Sequence, residues 1–198
     1  MPVRIGMAGN MGAGKTTVGR EFERLGIPVY YADRRAKELM QTDGELRERL
    51  VADFGTQSYD ATGRLNRPYL ASRVFSDPVA LGRLNGYVHP VVARDAEAWH
   101  GRQTAPYTLH EAAILLEIGS ASSYDAMVVV YCPLSVRRRR VMLRDGITEQ
   151  QFDDRASKQW PDDRKNAAAD VLIRNDGIEL ILPQVLRAHR RFTADFAP

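Results

Sequence analysis

The stretch GNMGAGKT, Gly9 to Thr16, fits the pattern G-x-x-x-x-G-K-[ST] at every required position. Glycine weakens helices and strands alike, so its clustering between two regular elements points to a backbone with a special task. The run VRIGMA (3–8) before it reads as a strand, and a helical pattern follows from about Gly14 to Leu25. Val18, Phe22 and Leu25 share one face of that helix, and Gly26 is placed to stop it. In this setting glycines let successive N–H groups approach phosphate oxygens with no Cβ in the way. The helix start adds unpaired amides and the positive end of its dipole. Gly9, Gly12, Ala13, Gly14, Lys15, Thr16 and Thr17 are therefore the expected contacts of a nucleoside triphosphate. Lys15 can reach the β and γ phosphates, and the Thr16 hydroxyl can ligate the Mg²⁺ that accompanies ATP. The motif does not name the acceptor.

Short apolar runs alternate with longer helical patterns along the rest of the chain, which predicts βαβ units and a parallel sheet. IPVYYA (27–32) reads as the second strand, PYTLHEA (106–112) and AMVVVYC (126–132) as the third and fourth, and DVLIRN (170–175) as the fifth. A last helix is expected from about Leu180 to Phe192, with Pro183 in its first turn or kinking it. The core is thus expected in 1–33, 105–133 and 169–198. Two helical excursions interrupt it, an insertion at 34–104 and a charged segment at 134–168. Thr148, followed three positions later by Gln151, reads as a capping box.

A chain of 198 residues suits one well-cored domain. The net charge of +3 fits an anionic small molecule better than nucleic acid, which calls for a dense basic stripe. Cys132 is the sole cysteine, so no intramolecular disulfide forms, and its setting in MVVVYC suits a packed small hydrophobe. The N-terminus is unlike a secretory signal and no stretch has the apolar length of a membrane span, so a cytoplasmic location is expected, without nucleic-acid or membrane partners.

Asp33 ends the second strand in VYYAD. In open α/β sheets ligands sit beyond the carboxyl ends of the strands, so this carboxylate is expected to face the same crevice as Lys15. It can accept the proton of an attacking hydroxyl, or it can cap the helix at 34–41, and position alone does not choose.

With Asp33 in place the whole chain resembles the dephospho-coenzyme A kinase family. The phosphate loop and YAD match that family's opening. GRLNRPYLASRVFSDPVALGRLNGYVHPVV (63–92) is similar to its insertion, with Gly-x-Leu-x-Arg, Leu-x-x-x-Val-Phe and Leu-Asn-x-x-x-His-Pro elements. ILLE (114–117), RRRRVMLRDGIT (137–148), the Arg155–Gln159–Lys165 series and ADVLIRNDG (169–177) complete the likeness. Asn10 and Met11 stand where the family has Gly and Ile, Ala113 where it has Pro, and Glu111 where it has Asp. The resemblance implies an α/β P-loop NTPase fold: a parallel five-stranded sheet flanked by helices, a helical acceptor-binding insertion and a helical lid. It implies ATP and dephospho-coenzyme A as substrates, with Mg²⁺. It further implies acceptor contacts at Asp33, Arg64, Leu65, Arg67, His89 and Pro90.

Four consecutive arginines, 137–140, point all around a helix and form no flat basic face. The resemblance favours Arg140 for contact with ATP and the transferring phosphate. Arg144, one turn on, is expected as support, and Arg137 or Arg138 as solvated. His89 with Pro90 is expected to fix a helix start, and HEAAI lacks the second histidine of a zinc motif. The leading reading is phosphorylation of the ribose 3′-hydroxyl of dephospho-coenzyme A, with Lys15, Asp33 and Arg140 catalytic. The alternatives are a nucleoside or nucleotide kinase of the same fold and a nucleotide-dependent binding switch.

Overall fold

The computed structural model describes residues 2–74, 77–117 and 119–196. Its contacts divide the chain into two compact units, residues 1–31 with 100–198, and residues 32–99.

The first unit is built on a five-stranded sheet in the order β2-β3-β1-β4-β5, every pairing parallel. The strands are β1 (Val3–Ala8), β2 (Val29–Tyr31), β3 (Tyr107–Glu111), β4 (Ala126–Tyr131) and β5 (Val171–Arg174). The second strand is shorter than the expected 27–32. The continuous apolar run of β4 follows from its burial on both faces. Val128 and Val130 join Ile5, Met7, Tyr107 and Leu109 against Val18 and Phe22 of α1 (Lys15–Arg24). Their neighbours Met127 and Val129 pack on the opposite side with Leu115, Leu116 and Trp160.

β1 lies between β3 and β4, and the chain leaves it toward β2 but returns from β3 toward β4. Ligands of open parallel sheets collect at such a reversal, outside the carboxyl ends of the strands. The phosphate loop starts there, directly after Ala8.

The last helix of this unit, here α9, spans Ile181–Asp195 with Pro183 in its first turn, where a missing N–H costs nothing. The segment after β4 forms α6 (Leu134–Asp145), α7 (Glu149–Ala156) and α8 (Asp162–Ala167). Thr148 accepts from the Gln151 amide while Gln151 accepts from the Thr148 amide, the reciprocal box expected from the sequence.

The second unit is helical: α2 (Ala32–Thr42), α3 (Gly44–Phe54), α4 (Arg67–Val74) and most of α5 (Pro78–His100). Leu46, Leu50, Phe54, Leu70, Val74 and Val88 form its core. Arg35 on α2 donates to both oxygens of Asp95 on α5, at 2.7 and 2.9 Å. Phe75 of the Val-Phe element lies outside the described residues. Among the described residues no helix is long and apolar enough to cross a membrane.

Candidate active site

The loop between β1 and α1 turns on glycines that other residues could not replace. Gly14, at φ +89°, is the N-cap of α1, and a Cβ there would collide with the side-chain amide of Asn175. Gly12, at φ +82°, presses against α6, where a Cβ would lie 2.8 Å from Val141 Cγ2 and 2.9 Å from the Arg137 carbonyl oxygen. No side chain caps Gly14, so the amides at the start of α1 are open to an outside acceptor.

Lys15 is largely buried, and its Nζ donates to the Gly9 carbonyl at 3.1 Å. The same ammonium lies 3.7 Å from Oε1 of Glu111, a carboxylate 5% exposed at the end of β3. A cation and a carboxylate therefore stand together beside the loop. Thr16 and Thr17 occupy exposed positions in the first turn of α1. Among the described residues no cluster of three or more His, Cys, Asp or Glu side chains could hold a metal by itself.

The arginines sort by helix face. Arg140 is half-buried, and its Nη1 donates to the Asn175 carbonyl at 3.0 Å and toward Cys132 Sγ at 3.3 Å. Arg137 is 4% exposed: Nε donates to the Cys132 carbonyl at 2.8 Å and Nη2 pairs with Asp162 at 2.9 Å. Arg138 pairs with Glu149 and Asp153. The expectation of a solvated side chain is therefore corrected for Arg137, whereas Arg138 stays partly in solvent and bridges to exposed acids. Helical geometry turns position 137 inward beneath the loop, leaving Arg139 exposed. Arg144 is exposed, and a two-pronged bond to Asp145 raises its pKa.

Cys132 is fully buried in the core, and burial pushes its thiol pKa up, as befits a packed hydrophobe. Lys165 is 1% exposed and pairs with Glu117 at 2.8 Å while donating to the Ala113 carbonyl. Burial lowers the Lys165 pKa against the opposing pull of Glu117.

Two placements in the helical unit differ from expectation. Asp33 is the second residue of α2, within its first turn and exposed. It neither ends the strand nor precedes the helix, because β2 stops at Tyr31 and the helix begins at once. His89 and Pro90 lie inside α5, with eleven helical residues ahead of His89 (78–88), so they do not start a helix. The residue four back from Pro90 is Gly86, and a Cβ at Gly86 would meet nothing within 4 Å. The open surroundings leave room for the helix to adjust where the proline ring displaces the carbonyl at i−4. Arg64 is exposed in a turn, Leu65 bridges Tyr59, and Gln41 of α2 ties that turn down by bonds to Leu65 N and the Gly63 carbonyl. Arg67 opens α4.

Comparison with known proteins now bears on this geometry. A family profile described as "Dephospho-CoA kinase" matches residues 3–179. The chain belongs to the dephospho-CoA kinase family. A protein of that name from Bacteroides fragilis is 33% identical over 187 residues, 94% of this chain and 91% of the relative. A Thermus thermophilus crystal structure aligns over 100% of this chain and 99% of that one, with TM-score 0.81 and 32% identity. A structure named dephospho-CoA kinase from Campylobacter jejuni covers 98% and 99%, with TM-score 0.71 at 19% identity, and shares the fold. As a member of the dephospho-CoA kinase family, the chain is an ATP-dependent kinase with a P-loop NTPase fold.

Several parts of the site were not legible as contacts in the sequence. Asn175 reads there as the end of a strand, yet its side chain holds the phosphate loop by the Ala13 carbonyl at 2.7 Å. Gln159 accepts from the Met11 amide at 2.8 Å, and Asp162 receives both Asn10 and Arg137. Asn175 and Gln159 stand in the sequence only as members of the family likeness, with no contact assigned, and the one local signal at Asp162 is polarity in a segment with no strand pattern.

Proposed function

We propose that the chain transfers the γ-phosphoryl group of ATP to the ribose 3′-hydroxyl of dephospho-coenzyme A, using Lys15, Arg140 and Asp33. The uncapped start of α1 beside a buried Lys15 carries this reading, since it offers amides and one ammonium to a polyphosphate. Gly9, Gly12, Ala13, Gly14, Thr16 and Thr17 line or follow the same loop. Arg140, half-buried and held by the Asn175 carbonyl, supplies positive charge to the transferring group. The acceptor oxygen forms the new P–O bond, the bridging bond to the β phosphate breaks, and ADP leaves. Asp33 takes the hydroxyl proton. Its support is covalent: Asp33 follows Tyr31, the last residue of β2, by two positions. Arg64, Leu65, Arg67, His89 and Pro90 are proposed as acceptor contacts on the same family likeness.

Beside the loop, the Thr16 hydroxyl is an oxygen donor that would hold a metal directly, with the Glu111 carboxylate as support through water. They fit Mg²⁺, an oxygen-seeking ion that takes one or two protein ligands and completes its shell with phosphate and water. Bound with ATP, Mg²⁺ would neutralise phosphate charge.

The deciding assay follows ADP release with dephospho-coenzyme A, AMP, dTMP or no acceptor. Turnover that requires dephospho-coenzyme A is expected. Turnover with AMP or dTMP alone would make the protein another kinase of this fold, and equal turnover without acceptor would make it a nucleotide switch.

A further inference from the structure

Two successive residues of the phosphate loop, Asn10 and Met11, are held by polar groups far away in sequence, and the third, Gly12, packs against the same region. The Asn10 amide donates to Asp162 Oδ1 at 2.6 Å and to the Trp160 carbonyl at 3.1 Å. Met11 is held through both of its backbone polar groups, its N–H by Gln159 at 2.8 Å and its carbonyl by Arg137 Nη1 at 3.5 Å. Gly12 packs directly on the backbone of Arg137 and on Val141. Asp162 joins these anchors, because its two oxygens also receive Arg137 Nη2 at 3.1 and 2.9 Å. The loop pattern leaves positions 10 and 11 unrestricted, so nothing in phosphate binding itself requires an amide side chain at residue 10.

We propose that Asp162 is a positioning residue for the phosphate loop, fixing the backbone of residues 10–12 through Asn10 and Arg137 before ATP arrives. The inference rests on the reading of this loop as the ATP site. A loop held in its binding shape spares the ligand the cost of ordering it, whereas a loop populating that shape only part of the time weakens apparent affinity by the same fraction. Asp162 touches neither nucleotide nor acceptor in this account. It acts on ATP affinity and leaves the chemical step alone.

The test is a double-mutant cycle of Asn10→Ala and Asp162→Ala, read by calorimetric ATP binding, the two KM values and kcat. Each single variant is expected to weaken ATP binding and raise its KM by about fivefold to tenfold, the usual net effect of losing one hydrogen bond. The KM for dephospho-coenzyme A and kcat should stay within about twofold. The loss in the double variant should fall well short of the product of the single losses, since both substitutions break the Asn10–Asp162 bond. Asp162→Ala strands the buried Arg137 and can cost folding, so Asp162→Asn, which keeps an acceptor for Asn10, is the companion and should recover most of the affinity. Folded variants that bind ATP as tightly as the parent, or losses that simply multiply in the double variant, would overturn the proposal. A parent protein that binds no ATP would overturn the reading of the loop and the inference together.

Discussion

The side-chain amide of Asn175 donates to the carbonyl of Ala13 at 2.7 Å, bridging 162 residues of sequence to lie against the α-carbon of Gly14. The last strand of the sheet thereby closes onto the phosphate loop of the first. Gly14 is the hinge of that contact, with positive φ and no room for a methyl group.

Gly14→Ala is accordingly expected to destabilise the fold by about 1–3 kcal/mol, from left-handed strain and the displaced Asn175. It should also abolish measurable ATP binding. Thermal unfolding and calorimetry check both, and a variant with unchanged melting temperature would show that the loop tolerates a side chain there.

Arg140 and Arg137 should separate cleanly. Arg140→Ala is expected to lower kcat by about 10²-fold with a smaller change in ATP affinity, as for a group acting on developing phosphate charge. Arg137→Ala removes the buried partner of Asp162 and should cost about 2 kcal/mol or more of stability, while kcat of the folded fraction holds within about twofold. The reverse assignment of losses, from rapid-quench kinetics and melting curves, would exchange their roles.

Asp33→Asn keeps the shape of a side chain that is exposed in the first turn of α2. It cannot take up the hydroxyl proton. The transfer rate should fall by about 10²-fold or more, with ATP binding retained. Losing one acidic group at a helix start should shift the melting temperature by only about 2–4 °C or less. Full activity in this variant would leave Asp33 with a structural role.

Acid should weaken the sheet unit through His110. The ring lies 5.1 Å from that of Tyr30 and 5.6 Å from that of Tyr124, and its Nδ1 is 2.9 Å from the Tyr124 hydroxyl. Burial, with a smaller push from Arg4, lowers its pKa to about 4. The unfolded chain then binds a proton that the folded chain refuses. The contribution is whole above pH 6.5 and drains away as the pH falls toward 4, to a total of about 3 kcal/mol. Urea melts across that range should show the slope in the parent and lose most of it in His110→Gln. An equally steep slope in the variant would place the acid sensitivity elsewhere.

Properties that depend on neighbours in the chain were legible before any fold was known. The glycine pattern announced the phosphate loop because a backbone that must approach phosphate excludes side chains. The apolar runs announced the parallel strands because a strand buried on both faces needs continuous hydrophobicity. The box at Thr148 and Gln151 is a contact over three residues, so it too was legible. The first turn of α2 was harder: VYYAD reads as strand to its end, and only the immediate helix start at Ala32 moved Asp33 off the strand.

Tertiary structure decided the rest, because those choices turn on partners far away in sequence. Nothing local distinguishes Arg137 from Arg140 in a run of four, and it is the positions of Asp162 and Asn175 that bury one and half-bury the other. Pro90 looks like a boundary on propensity alone, yet packing around Val88 carries α5 straight through it. Asn10 occupies an unrestricted position of its motif, and its amide gains a role only when the chain brings Trp160 and Asp162 beneath the loop. Such contacts are set by the sheet order, which stacks the ends of β1, β4 and β5 side by side, and no pattern in the sequence encodes them one residue at a time.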